Sequence, residues 1–212
     1  MTLLALRFSR YANAVALQHA KVSREMFPEF AIDSITNGVH APTWVSEPFQ
    51  QVMDANISSW RRDTLYLRNA IDLADESILA AHASNKEALF AEVASRTGLA
   101  LNPKVLTLGF ARRVATYKRA TLLFTDPRRL AEIAEAAGGL QILYAGKAHP
   151  QDEPGKALIQ QVVEDAAKLS NEFLRIVYLE NYDWSLGALL TAGVDVWVNT
   201  PRGLTRPQAP AA

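Results

Sequence analysis

The sequence of 212 residues contains no cysteine. Disulfide bonds, thiolate metal sites and cysteine nucleophiles are therefore excluded for this chain. The formal net charge is zero, because 22 basic residues balance 22 acidic residues. Without a general field to attract nucleic acid or an anionic membrane, any anion site has to come from a local cluster of cations. We expect neither nucleic acid nor membrane as a partner.

Long apolar runs are absent as well. No stretch approaches the roughly 20 apolar residues that a membrane-spanning helix needs. The apolar start reaches Arg7 and Arg10 at once, whereas a secretory signal carries its basic residues before the apolar stretch. We therefore expect a cytoplasmic protein. What is present is 49% hydrophobic residues, enough for one substantial core or parts of two.

The first part of the chain, residues 1–98, has mostly helical patterns. Apolar spacing predicts one helix from Leu3 to Met26. A second helix is predicted from Asp75 to Arg96, with Gly98 as its C-terminal cap. Residues 99–104 are the predicted boundary to the next domain.

Beyond that boundary, short apolar runs alternate with helical patterns. The runs cover residues 105–110, 140–145, 173–179 and 194–198, and the helices between them cover residues 119–136, 154–169 and 184–192. Strands that alternate with helices form βαβ units with a parallel sheet. We therefore predict an α/β fold, with a partial Rossmann-like sheet over residues 99–202. Since ligands bind at the carboxyl ends of such strands, the segments after each run are the candidate site.

The strongest of these segments is basic. Residues 109–119 read Gly-Phe-Ala-Arg-Arg-Val-Ala-Thr-Tyr-Lys-Arg and place four cations within eight residues. Arginine offers phosphate a planar fork of donors, and lysine adds a compact charge. The segment predicts a phosphate site at the sheet edge. A basic run standing alone would favour the alternative, a solvated start of a helix.

Two further segments follow the second and third runs. Gly146 allows a backbone to approach a ligand, and Lys147 can meet an anion. Residues 180–183 offer polar groups and the ring of Tyr182, although Asp183 is equally well explained as a helix N-cap. No zinc-ligand spacing, glycine-rich nucleotide motif or nucleophile elbow is present.

Six motifs in the same order resemble the glycogen phosphorylase family, in particular the shorter bacterial α-glucan phosphorylases. They lie within residues 10–24, 35–45, 109–120, 145–150, 178–183 and 193–201. The resemblance implies a two-lobed, GT-B-type glycosyltransferase, with residues 1–98 forming the end of the first lobe and an interlobe segment. It implies pyridoxal 5'-phosphate bound to a lysine as a Schiff base. It also implies phosphorolysis, in which orthophosphate takes the terminal glucose of an α-1,4-glucan (glycogen or maltodextrin) as glucose 1-phosphate.

The resemblance also assigns roles to eight residues. The expected catalytic residues are Arg112, Arg113, Lys118 and His19, and the expected cofactor contacts are Lys118, Tyr117, Tyr182, Gly146 and Lys147. Arg112 and Arg113 match the pair at the substrate phosphate, and Lys118 matches the lysine at the cofactor phosphate. His19 matches a histidine whose main chain contacts glucose. Two adjacent phosphates repel each other, which is why several cations are needed in a desolvated cleft.

The sequence departs from the family pattern at two places. Ala14 stands where the family has glycine, and it would strain the turn by about 1 kcal/mol if that position needs a positive φ. After Arg202 the family continues toward its Schiff-base lysine, whereas residues 203–212 of this chain do not. One choice of codons for the family run, read one base later, encodes this tail followed by a stop. We therefore expect a frameshift, no Schiff-base lysine in this chain, and a poorly soluble, inactive fragment.

Two other functions stay open from the residues alone. A nucleotide-sugar glycosyltransferase of the glycogen-synthase type would also place arginine and lysine beside a diphosphate. A non-catalytic remnant or glucan-binding piece would fit the unusual tail.

Overall fold

The computed structural model describes residues 1–200. They form two compact units, one of residues 1–40 and one that begins at Ala41. Residues 41–98 therefore share a unit with the residues that follow them, and the predicted lobe boundary at 99–104 stays a prediction. The predicted frameshift tail, residues 203–212, lies outside the described residues.

The first unit pairs two short helices with a two-stranded parallel sheet. Its elements are α1 (Thr2–Phe8), β1 (Ala12–Ala14), α2 (Leu17–Met26) and β2 (Ile32–Ser34). The single helix predicted over Leu3–Met26 is wrong, because strand pairing with β2 holds residues 12–14 in an extended conformation. Ala14 is buried in β1 and its φ is not positive, so the predicted strain is absent.

The second unit begins with helices. They are α3 (Ala41–Trp44), α4 (Glu47–Asn56), a 3-10 helix (Thr64–Asp72) and α5 (Asp75–Thr97). Helix α5 confirms the prediction closely. Gly98 ends it with a φ of 71°, a left-handed conformation that glycine adopts without steric cost.

Four parallel strands form the sheet of this unit. They are β3 (Leu106–Ala111), β4 (Leu140–Ala145), β5 (Leu174–Leu179) and β6 (Val196–Trp197), in the order β5-β4-β3-β6. The predicted α/β fold with a parallel sheet is confirmed. All six residues of β4 are buried, as expected for a central strand covered by helices on both faces.

Three helices connect the strands. They are α6 (Pro127–Ala136), α7 (Glu153–Leu169) and α8 (Trp184–Gly193). Each begins after an aspartate whose carboxylate accepts a hydrogen bond from the amide three residues later, namely Asp126, Asp152 and Asp183. The prediction that α6 begins near Arg119 is wrong, because the Asp126 cap and Pro127 start the helix later. Short 3-10 turns precede it instead.

The core lies on both faces of the sheet. Alternate strand residues such as Ile142 and Ile176 pack with α6 and α7 on one face. Their neighbours Leu143 and Val177 pack with α5 and α8 on the other. No helix within residues 1–200 combines the length and apolar character needed to cross a bilayer.

Candidate anion site at the carboxyl edge of the sheet

The strand order creates a switch point between β3 and β6. From β3 the chain builds β4 and β5 on one side and then returns to place β6 on the other. In open α/β sheets, ligands bind beside the carboxyl ends of strands at such a point. The basic segment, defined here as residues 112–119, leaves β3 at this edge, and residues 198–200 leave β6 there.

The start of the basic segment is bound to the loop after β4. The Arg112 amide donates to the Ala145 carbonyl at 3.2 Å, and the Val114 amide donates to the Lys147 carbonyl at 2.9 Å. These bonds continue the pairing of β3 with β4 into the loops that follow. The two loops predicted to carry cations are therefore adjacent.

The residue directly after the basic segment is bound by a tyrosine of β4. The buried Tyr144 hydroxyl donates to the Ala120 carbonyl at 3.0 Å. Burial, assisted by the charge of Asp165, raises the pKa of Tyr144. The phenol therefore stays protonated and keeps its role as a donor at neutral pH.

Arg112 carries a buried donor without an acceptor. Its guanidinium carbon lies 5.3 Å from the centroid of the Phe110 ring. Its Nε is buried and has no hydrogen-bond partner among the described residues. Leaving a buried donor unpaired costs about 1–3 kcal/mol. An anion bound at this edge would provide the missing acceptor.

Three other cations of this edge, Arg113, Lys118 and Lys147, have no carboxylate partner among residues 1–200. Within residues 1–200, no salt bridge involves Arg112, Arg113, Lys118 or Lys147. Arg112 and Lys118 are half-buried, whereas Arg113 and Lys147 are exposed. The Lys118 ammonium lies 5.7 Å from the ring centroid of the exposed Tyr117. Uncompensated positive charge at a partly desolvated edge favours an anionic ligand.

Gly146 lies in the contact between the two loops. A Cβ at this position would collide with the Arg112 carbonyl oxygen and would lie 2.8 Å from Val114 Cγ2. The Tyr178 hydroxyl donates to the Gly146 carbonyl at 2.8 Å. Glycine is therefore needed here for the approach of another part of the main chain.

Tyr182 follows β5 on the same edge of the sheet. It is half-buried, and its hydroxyl lies 3.0 Å from the position that a Cβ of Gly187 in α8 would occupy. Asp183 caps α8, as the alternative reading of this segment predicted. Tyr182 thus stands against α8, two strands away from the basic segment.

His19 belongs to the first unit, where it lies exposed on α2. Its Nδ1 accepts a hydrogen bond from the Val15 amide at 3.4 Å. Its expected contact with glucose stays a prediction.

Sequence patterns missed the residues that support this edge. In the sequence, Tyr144 and Tyr178 are assigned only to apolar strands. The signal for their further role is the hydroxyl group, because a tyrosine in a buried run needs a hydrogen-bond partner. Arg119 is interpreted as one more cation of the basic run, yet its Nε donates to the Thr200 carbonyl at 2.8 Å.

No group of residues within 1–200 has the composition of a metal site.

Comparison with known proteins identifies relatives of the whole described chain. The family of carbohydrate phosphorylases matches residues 1–199. A glycogen phosphorylase of Aquifex aeolicus is 36% identical over 94% of this chain and 33% of its own length. A maltodextrin phosphorylase of Thermococcus litoralis is 36% identical over 95% of this chain and 27% of its own length. A glycogen phosphorylase of Mycobacterium tuberculosis is 39% identical over 95% of this chain and 26% of its own length. The chain thus spans about a quarter to a third of these relatives.

Proposed function

The chain belongs to the carbohydrate phosphorylase family, and from that premise we propose that it serves the phosphorolysis of an α-1,4-glucan. In that reaction, orthophosphate takes the terminal glucose and glucose 1-phosphate is released. The observation that carries the proposal is the basic segment at the switch point, where Arg112, Arg113 and Lys118 have no carboxylate partner within residues 1–200 and the Nε of Arg112 is buried without an acceptor there. A two-lobed GT-B architecture and a cytoplasmic location are part of the same proposal.

Arg112 and Arg113 are the proposed ligands of orthophosphate. The Arg112 side chain is half-buried and has a donor free to bind an oxygen atom. Its neighbour Arg113 is exposed and has no carboxylate partner within residues 1–200. Fixed donors at a desolvated site stabilise charge more strongly than water does, since they need no reorganisation. Their proposed role is to hold and orient the attacking phosphate.

Pyridoxal 5'-phosphate is the proposed cofactor, and the residues at this edge fit its phosphate. Lys118 and Lys147 supply charge and have no carboxylate partner within residues 1–200, and the ring of Tyr117 lies beside Lys118. Tyr182 follows β5 on the same edge and is the second proposed aromatic contact. The bound cofactor would supply a second phosphate group, an acid–base group for the substrate phosphate. The proposed task of Lys118 is to offset the repulsion between two neighbouring dianions. That the Schiff-base lysine is missing from this chain stays a prediction.

Orthophosphate binding to the 212-residue chain tests the proposal by titration calorimetry. We expect Arg112→Gln to weaken binding by about 10-fold or more, because a charge-assisted hydrogen bond is worth about 1.5–3 kcal/mol. Arg128→Gln is the matched control, since the Arg128 side chain is 88% exposed on α6, where it pairs with Glu132. Equal binding by wild type and Arg112→Gln would contradict the proposal.

The same titration distinguishes a glycosyltransferase of the glycogen-synthase type. That enzyme would bind a nucleotide sugar, so ADP-glucose is the competing ligand. Binding of ADP-glucose without binding of orthophosphate would favour this second function.

A further inference from the structure

We propose that Arg119 and Thr200 form a latch that positions the basic segment across the switch point. Arg119 is then a positioning residue and not a ligand of phosphate. What the positioned cations bind rests on the proposed function, whereas the latch itself is a property of the fold.

The latch consists of two hydrogen bonds that run in opposite directions. The Arg119 Nε donates to the Thr200 carbonyl at 2.8 Å. The Thr200 hydroxyl donates to the Lys118 carbonyl at 3.3 Å. The partners are 81 and 82 residues apart in the sequence. Together the bonds connect the chain leaving β3 to the chain leaving β6.

The backbone of Arg119 shows why the side chain matters. Its φ is 50° and its ψ is 54°, a left-handed conformation. Glycine and asparagine adopt this conformation readily, whereas other residues pay about 1–2 kcal/mol. Such a conformation persists where surrounding contacts determine it. An arginine here has the reach to contact Thr200, which the usual residues of this conformation lack.

The latch completes the support of the basic segment. The first half is bound to the β4 loop through the amides of Arg112 and Val114. The second half is bound through the Lys118 carbonyl, which accepts from Thr200, and the next residue is bound through the Ala120 carbonyl, which accepts from Tyr144. The main chain of Lys118 is therefore bonded directly to Thr200, one of the two latch residues. Thr200→Val should therefore displace this cation without removing any charge.

Hydrogen exchange measured by mass spectrometry on the 212-residue chain tests the latch directly. Thr200→Val removes the hydroxyl donor at nearly constant volume. Arg119→Asn shortens the side chain so that it can no longer contact the Thr200 carbonyl, and asparagine tolerates the left-handed backbone at this position. We expect the amides of residues 116–122 to exchange about 3- to 10-fold faster in both variants. Thr200→Ser, which keeps the hydroxyl, should restore slow exchange.

Thr191→Val is the matched control for this experiment. The Thr191 hydroxyl also donates to a carbonyl, that of Gly187, but within α8. This variant should leave exchange in residues 116–122 unchanged. Unchanged exchange in both Thr200→Val and Arg119→Asn would overturn the latch, whether or not the chain binds phosphate.

Orthophosphate titration separates positioning from direct binding. A latch predicts that Thr200→Val and Arg119→Asn weaken binding to a similar extent, about 3-fold, although Thr200→Val removes no charge. A direct ligand predicts a loss of 10-fold or more for Arg119→Asn and no loss for Thr200→Val, which would also overturn the proposal. If wild type binds no orthophosphate, the proposed function fails, and hydrogen exchange alone then decides on the latch.

Discussion

At the scale of single residues, Gly146 and Arg112 show how the loops after β3 and β4 depend on each other. The Arg112 carbonyl occupies the space that a side chain at position 146 would need. Tyr178 holds the Gly146 carbonyl from the neighbouring strand. Burial, with the charge of Glu180 adding to it, raises the pKa of Tyr178, so this donor also stays protonated.

Gly146→Ala should therefore destabilise the chain. The added Cβ would meet main-chain atoms that cannot rotate away, and overpacking of this kind costs about 1–3 kcal/mol. Urea denaturation should show a lower midpoint with an unchanged slope. Gly38→Ala is the matched control, because a Cβ there meets nothing within 4 Å. If both variants unfold at the wild-type midpoint, the conclusion that the two loops pack too closely for a side chain at position 146 is wrong.

At the scale of elements, hydrogen bonds and an ion pair connect α5 to the edge of the sheet where the strands begin, opposite the basic segment. Lys86 on α5 donates to the Asp195 carboxylate at 2.6 Å and to the Val105 carbonyl at 2.9 Å. His82, one turn earlier, lies 2.8 Å from the same carboxylate. The Thr107 amide at the start of β3 donates to it at 2.7 Å. One carboxylate before β6 thus connects α5, β3 and β6.

Asp195→Asn should weaken this connection and change the response to pH. Burial alone would raise the pKa of Asp195, but hydrogen bonds from Lys86, His82 and the Thr107 amide outweigh burial and lower it. A lowered pKa stabilises the fold above the unfolded value of about 3.9, and that stabilisation is lost as the pH falls through the folded value. At pH 7 we expect a loss of about 2 kcal/mol in the free energy of unfolding.

Urea denaturation between pH 7 and pH 3 checks this expectation. The difference between wild type and Asp195→Asn should narrow below about pH 4, because the unfolded chain then binds a proton at Asp195 that the folded chain does not yet bind. Glu87→Gln is the control on the same helix, because Glu87 is exposed and makes no described ion pair. A constant difference across the pH range would show that the charge of Asp195 is unimportant.

At the scale of the whole molecule, the two units differ in the size of their buried hydrophobic cores. The buried cluster of the first unit is small, consisting of Ala14, Ala20 and Ile32. The second unit has a substantial cluster on each face of its sheet. A unit of about 40 residues buries too little apolar surface to be stable on that basis alone.

We expect hydrogen exchange to report this difference. Amides in β1 and β2 should exchange roughly 100-fold faster than those in β4, because local opening is easiest where few apolar groups are buried. Exchange of wild type at pH 7, followed by mass spectrometry, measures both regions in one sample. Equal protection of β1 and β4 would contradict the expectation.

Much of the second unit could be predicted from its sequence. The run at 140–145 matches β4 in full, and Asp183 and Gly98 mark helix ends as expected. The first unit could not be predicted in the same way. The apolar spacing over Leu3–Met26 is compatible with one helix, and only pairing with β2, about 20 residues away, imposes a strand at residues 12–14.

Local patterns in the sequence are enough to predict which segments carry charge, where strands alternate with helices, and the family resemblance that the comparison with known proteins supports. Those features depend on neighbouring residues, whose spacing and capping groups act over one or two turns. Three features emerge only from the folded chain: β6 returns beside β3, the buried Nε of Arg112 has no acceptor within residues 1–200, and Arg119 reaches Thr200. These contacts join residues far apart in the chain. They depend on how the sheet and helices pack as a whole, which no local pattern encodes.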